Sequence, residues 1–282
     1  MKKLIIPTIL ACAMAACTSE TVEPTTTADK VEVTFQVDCP LMISMEDITR
    51  ATLAEARAKN VYALVDGELM KAQASSENEF GTYTLTLPVG SHTITTVVSA
   101  DTLTTAISNG KVVSFASKGD KVHDCFANTY TLDVTHNTTT QEVTVDRIVA
   151  KVLFEVLDAI PEGVTGAEIV VSDRTKAFNT SFIGITPSST TYHVDVPASF
   201  IGKTKSLISI MTFCPSLTED FSKNVCLTLT DANGNTVGSR SADNIPMHVN
   251  TVTKVSGRWF SGEPAYSVSI NTSWNANKEV NI

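Results

Sequence analysis

The sequence is short of positive charge, of aromatic rings and of long apolar runs, and none of its cysteines are clustered. Lys and Arg total 21 against 30 Asp and Glu, a net charge of −9. No basic stripe is available to neutralise a phosphate backbone, so nucleic acid is not a suitable partner. Aromatic residues are 6% of the chain, which leaves Trp259 and Trp274 as the two indoles on which a sugar ring would stack. No apolar run reaches the ~20 residues that a bilayer-crossing helix needs. The cysteines show no CxxC spacing, which argues against a clustered metal or redox site. His92, His123, His136, His193 and His248 include no pair at i, i+4 and none beside a cysteine, so no metal site is expected. No G-x-S-x-G elbow occurs, and the carboxylates are scattered without an acid/base spacing. No catalytic residue, metal ligand or cofactor is therefore expected.

Two short lookalikes fail on inspection. Asp231, Asn233 and Asn235 begin like a calcium loop, but its sixth position is Thr236 and its twelfth is Ala242. Asn-Gly between alternating runs is explained by turn geometry alone. Gly202-Lys203-Thr204 ends like a phosphate loop, yet that motif's first glycine falls on Pro197.

What is present starts with a sorting signal. Lys2 and Lys3 precede the short apolar stretch Leu4 to Ala11, and Met14-Ala15-Ala16 leads to Cys17. The order apolar residue, Ala, Ala, Cys resembles the lipobox of bacterial lipoproteins. That resemblance implies cleavage between Ala16 and Cys17 and acylation of Cys17. More than one acyl chain makes such an anchor stable. Residues 17–30 are polar and threonine-rich and read as a lipidated tether. Cys39, Cys125, Cys214 and Cys226 remain beyond it. An oxidising compartment permits a disulfide among them, while free core thiols are the plainer reading.

Hydrophobic residues are 43% of the 282 and charged residues 18%, a globular composition for one large domain or two ordinary ones. Strand signals follow one another. Val31 to Val37 alternates apolar and polar, the mark of a half-buried strand. Val61 to Val65, Asp66-Gly67 and Glu68 to Met70 spell a two-residue hairpin. Residues 51–59 are alanine-rich and suggest a short helix. Residues 147–157 are apolar on both faces, which suits a strand covered on both sides. A boundary just before it divides the chain into 31–146 and 147–282. The second half continues with short strands at Glu168 to Val171, Tyr192 to Val196, Ser206 to Phe213, Val225 to Thr230, Asn250 to Val255 and Ala265 to Ile270. Many short strands with regular turns predict an all-β protein of tandem sandwiches.

Several segments, in this order along nearly the whole chain, resemble the fimbrillin superfamily of Bacteroidetes surface pili, including its anchor branch. They are the lipobox and tether, Ile48-Thr49-Arg50-Ala51-Thr52-Leu53 running into Val61 to Gly67, and Val145 to Lys151 with Leu157 to Pro161. After these come Asp231 to Asn235, Asn250 to Thr253, Gly257 to Phe260 and Ser269 to Trp274. The resemblance implies two transthyretin-like β-sandwiches, an outer-membrane lipoprotein held through Cys17, and partners that are other fimbrial subunits joined by strand exchange. It implies that Val31 to Val37 is a removable strand, that the Arg50–Ala51 bond is a maturation cleavage site, and that Asn277 to Ile282 is a donor tail. An exposed loop arginine is the plain reading of Arg50. The short, polar tail departs from a shaft subunit and favours an anchor or accessory role. Host or bacterial surface ligands are further expected partners. The rival reading is a surface glycan-binding lipoprotein.

Overall fold

The computed structural model describes residues 29–37, 42–43, 55–56, 58–261, 266–271 and 280–281. Apart from one 3-10 turn at Ala198–Phe200, the elements among them are strands, so the all-β expectation holds. Cys17, Arg50, Ala51, Cys39 and Trp274 lie outside the described residues.

The N-terminal half stacks two sheets. One has the order β11 (Thr140–Val143), β1 (Lys30–Val37), β6 (Thr82–Pro88). The other runs β12 (Asp146–Arg147), β10 (Cys125–Val134), β7 (Gly90–Ser99), β4 (Asn60–Val65), β5 (Glu68–Ala74). Period-2 alternation sends Val33, Phe35, Tyr83, Leu85 and Leu87 inward, to meet Val61, Ala63, Ile94 and Val98. The β4–β5 hairpin has the expected two-residue turn. Asp66 and Gly67 both take left-handed backbone, at φ 53° and 85°, as a primed hairpin turn requires.

The C-terminal half repeats the arrangement. One sheet runs β18 (Ser206–Phe213), β13 (Val149–Val156), β21 (Val252–Gly257), β22 (Tyr266–Asn271), β23 (Val280–Asn281). The facing sheet runs β17 (Tyr192–Asp195), β14 (Val164–Val171), β19 (Phe221–Asp231), β20 (Thr236–Met247). The strand expected in residues 147–157 is β13. It lies between antiparallel β18 and parallel β21 and is buried on both faces, which is why its sequence does not alternate. The Asp231 to Asn235 turn joins β19 to β20 as expected. Asp231 Oδ1 accepts the amide hydrogens of Asn233 and Asn235, so the turn itself uses the calcium-like residues.

Two findings depart from the sequence reading. The helix expected over residues 51–59 is not formed where the chain is described: Glu55–Ala56 is a strand, β3, paired with β2 (Met42–Ile43). Alanine's helix preference is weak, a few tenths of a kcal/mol per residue, and pairing overrides it. The second is a composite sheet with the order β16 (Gly184–Ile185), β15 (Ala177–Asn179), β9 (Lys111–Ser117), β8 (Leu103–Ser108). It takes two strands from each side of residue 146. It covers the outer face of the sheet holding β4, so that Tyr62, Leu64 and Val97 are buried with Phe115, Phe178, Met211 and Phe213 in a third core. Phe115 stacks on Phe178 at 5.2 Å between centroids, and Phe178 meets Phe213 at 4.6 Å.

Candidate functional site

Strand β1 is the middle strand of its sheet. It pairs antiparallel with β6 from Lys30 opposite Pro88 to Gln36 opposite Thr82, and parallel with β11 from Thr34 opposite Thr140 to Val37 opposite Val143. Among the described residues, neither β6 nor β11 has another sheet neighbour. The inward residues Val33 and Phe35 are fully buried, and Phe35 stacks on Tyr83 at 5.2 Å. On the outer face Thr34 Oγ1 lies 3.0 Å from Thr84 Oγ1. Without β1, two strands would each present a row of unpaired backbone groups beside a groove shaped for alternate apolar side chains. A groove of that kind accepts an added strand: backbone bonds supply affinity and the pockets supply selectivity.

The other tail is less informative. Of the expected donor segment only Val280–Asn281 is described, as β23 pairing antiparallel with Ser269 and Ile270 of β22. Cys125 and Cys214 are free and buried, and Cys226 is free and half-buried. Burial pushes the Cys214 thiol up to about 12, so it is not a reactive nucleophile. The histidines do not converge. His92 meets Asp66, His123 meets Asp101, His136 meets Asp29 and His193 meets Glu168, while His248 Nδ1 donates to its neighbour's carbonyl, Val249 O. Trp259 is in the core, edge-on to Phe154 at 6.4 Å, with its indole N–H donated to Leu227 O at 3.0 Å. It offers no exposed face to a sugar.

Sequence reasoning passed over a charge cluster at the chain junction. Arg147 donates Nε to Asp124 Oδ1 and Nη2 to Asp124 Oδ2, sends Nη1 to Asn250 Oδ1 at 2.8 Å, and covers the Phe126 ring at 4.6 Å. Lys151, four residues further along in β13, is also buried, and desolvation brings its ammonium down to about 8. Desolvation raises the Asp124 carboxyl against the pull of Arg147 and Lys151. The available signal was the presence of Arg147 and Lys151 in an otherwise apolar run, since a buried charge needs a partner.

No family model and no curated protein matches the chain. Solved structures do. An adhesin candidate from Bacteroides ovatus shares 13% identity over 87% of this chain and 95% of its own, with a TM-score of 0.50. An adhesin candidate from Bacteroides thetaiotaomicron shares 11% over 91% and 99%, at 0.51. A polysaccharide-binding candidate from the same organism shares 11% over 89% and 98%, at 0.50. Similarity at this identity shows a common β-sandwich fold.

Proposed function

We propose that the chain is a fimbrial anchor or accessory subunit of the bacterial surface, acting in adhesion through binding and assembly rather than catalysis. The observation that carries this reading is β1: an apolar-in strand that, among the described residues, alone joins β6 and β11, in a fold shared with adhesin candidates of Bacteroides. On this reading residues 31–146 and 147–282 are the two sandwich units. Residues 1–16 are removed, Cys17 carries the lipid that holds the protein at the outer membrane, and residues 17–30 form the tether. Other fimbrial subunits are its partners, by strand addition. Cleavage after Arg50 would release β1 and open its groove for a neighbour's strand. Retention of β1 would leave the chain as a permanent anchor.

A glycan-binding role is the second reading, favoured by the fold shared with the polysaccharide-binding candidate. The buried indole of Trp259 counts against it.

The test is intact mass and N-terminal sequencing of the protein from purified outer membranes. A lipid-modified chain beginning at Cys17 supports the anchor. An unlipidated chain beginning at Ala51 supports a polymerising subunit. An unlipidated chain with any other start overturns the lipoprotein reading.

A further inference from the structure

A cleft of about 920 Å³ opens where β12 leads into β13, lined by residues from both sides of residue 146. Its apolar lining includes Phe182, Leu217 and Val249, and its polar lining includes Asp146, Asp220 and His248. Several neutral polar groups of the lining are already bonded within the protein: Asn128 Nδ2 donates to Thr144 O, Thr129 Oγ1 lies 2.8 Å from Thr95 Oγ1, and Thr251 Oγ1 donates to His248 O. Asp146 and Asp220 are exposed carboxylates, and neither has an ion-pair partner among the described residues. The His248 Nδ1 hydrogen is committed to Val249 O at 2.9 Å, so in the neutral ring Nε2 is an acceptor. The one cation of the lining, Arg147, has its guanidinium held by Asp124 and Asn250. The cleft therefore offers acceptors and negative charge around an apolar floor.

We infer that this junction cleft docks an extended segment of a partner protein, one that sets a Lys or Arg side chain between apolar residues. The charge selects the cation, since opposite potentials across an interface decide which partner is accepted. The size selects a peptide over a free amine. A small cation would satisfy the carboxylates but leave the Phe182, Leu217 and Val249 floor wet, and most of a ligand's affinity comes from burying such a floor. The chain's own net charge of −9 adds a long-range field in the same sense. The inference stands on the cleft alone and does not depend on strand exchange at β1.

The test is titration calorimetry of the purified protein with four probes: the peptide Ac-Leu-Arg-Leu-Lys-Leu-amide, its counterpart with Glu for both basic residues, N-acetylarginine amide and a neutral oligosaccharide. The expected result is saturable binding of the basic peptide alone, weakened by high salt. The double substitution Asp146→Asn with Asp220→Asn is expected to weaken it about tenfold, the sum of two rim charges, with an unchanged melting temperature. Any one of four results overturns the proposal: no saturable heat with the basic peptide, equal binding of the acidic peptide or of N-acetylarginine amide, preferred binding of the oligosaccharide, or undiminished affinity in the double variant.

Discussion

The guanidinium of Arg147 forks onto the carboxylate of Asp124, Nε to Oδ1 at 2.7 Å and Nη2 to Oδ2 at 3.0 Å, with both side chains 2% exposed. Asp124 belongs to the N-terminal half and Asn250, the third partner, to the C-terminal half, so the pair ties both halves to the strand that passes between them. A buried fork of this kind contributes little net stability against a well-packed apolar replacement, but breaking it strands a charge. Asp124→Ala is expected to cost about 3–5 kcal/mol in urea unfolding. The double variant Asp124→Leu with Arg147→Met is expected to recover most of that loss. If Asp124→Ala unfolds at the wild-type midpoint, the fork does not hold the junction.

The composite sheet and third core predict how the chain melts. Phe115 and Phe178 come from opposite sides of residue 146 and stack directly, so opening one half exposes apolar surface of the other. One cooperative transition is expected, with far-ultraviolet dichroism and tryptophan emission superimposing. Two separated transitions would show that the halves unfold independently.

The first hairpin carries a pH dependence. His92 Nδ1 lies 2.8 Å from Asp66 Oδ2 and its Nε2 lies 2.9 Å from Pro88 O, so the doubly protonated ring satisfies both acceptors. The Asp66 bond raises the His92 pKa above its ordinary 6.5. The same bond, with the Thr93 amide, lowers that of Asp66 below its ordinary 3.8. The His92 contribution is complete below pH 6.5 and is lost as pH rises through the raised value. The Asp66 contribution is complete above pH 3.8 and is lost as pH falls through the lowered value. The pair therefore stabilises most between those limits, by about 0.3–1 kcal/mol because Asp66 is half exposed. His92→Asn is expected to flatten the decline in melting temperature from pH 6 toward pH 9. An unchanged decline would assign it to other groups.

Phe35 tests the groove that β1 fills. Its ring is fully buried against Tyr83. Phe35→Ala is expected to cost about 3–5 kcal/mol, whereas Glu32→Gln on the exposed face of the same strand is expected to change stability by less than about 0.5 kcal/mol. Similar small losses in both would mean that the pocket closes without the ring, and that β1 is not the element holding its sheet together.

Much of the strand order was legible because local chemistry dictated it. Asp66-Gly67 demanded a primed turn, Val31 to Val37 alternated, and the double-faced apolar run around Val152 had to be covered on both sides. What was not legible depended on long-range pairing. Leu103–Ser108 and Ala177–Asn179 have mixed patterns because they form a sheet lying partly over another sheet, and no local period encodes that. The Asp124–Arg147 fork joins residues 23 apart through the fold. The helix expected over residues 51–59 rested on alanine content, which pairing with Met42–Ile43 outweighs.

Trp259 decides the strongest sequence argument for glycan binding. Its indole N–H is donated to Leu227 O, its backbone N–H to Asp158 Oδ2 at 2.5 Å, and its ring meets Phe154 edge-on. Trp259→Phe would leave the buried Leu227 carbonyl without that donor and is expected to cost about 1–3 kcal/mol. The chain has two tryptophans, so in a Trp274→Phe background the emission reports Trp259 alone. That emission is expected to be blue-shifted, weakly quenched by acrylamide and unmoved by neutral oligosaccharides. Ready quenching, or a sugar-induced shift, would place the indole at the surface and restore the glycan reading. Persistence of a blue, protected signal alongside sugar binding would move the search for the platform to Trp274.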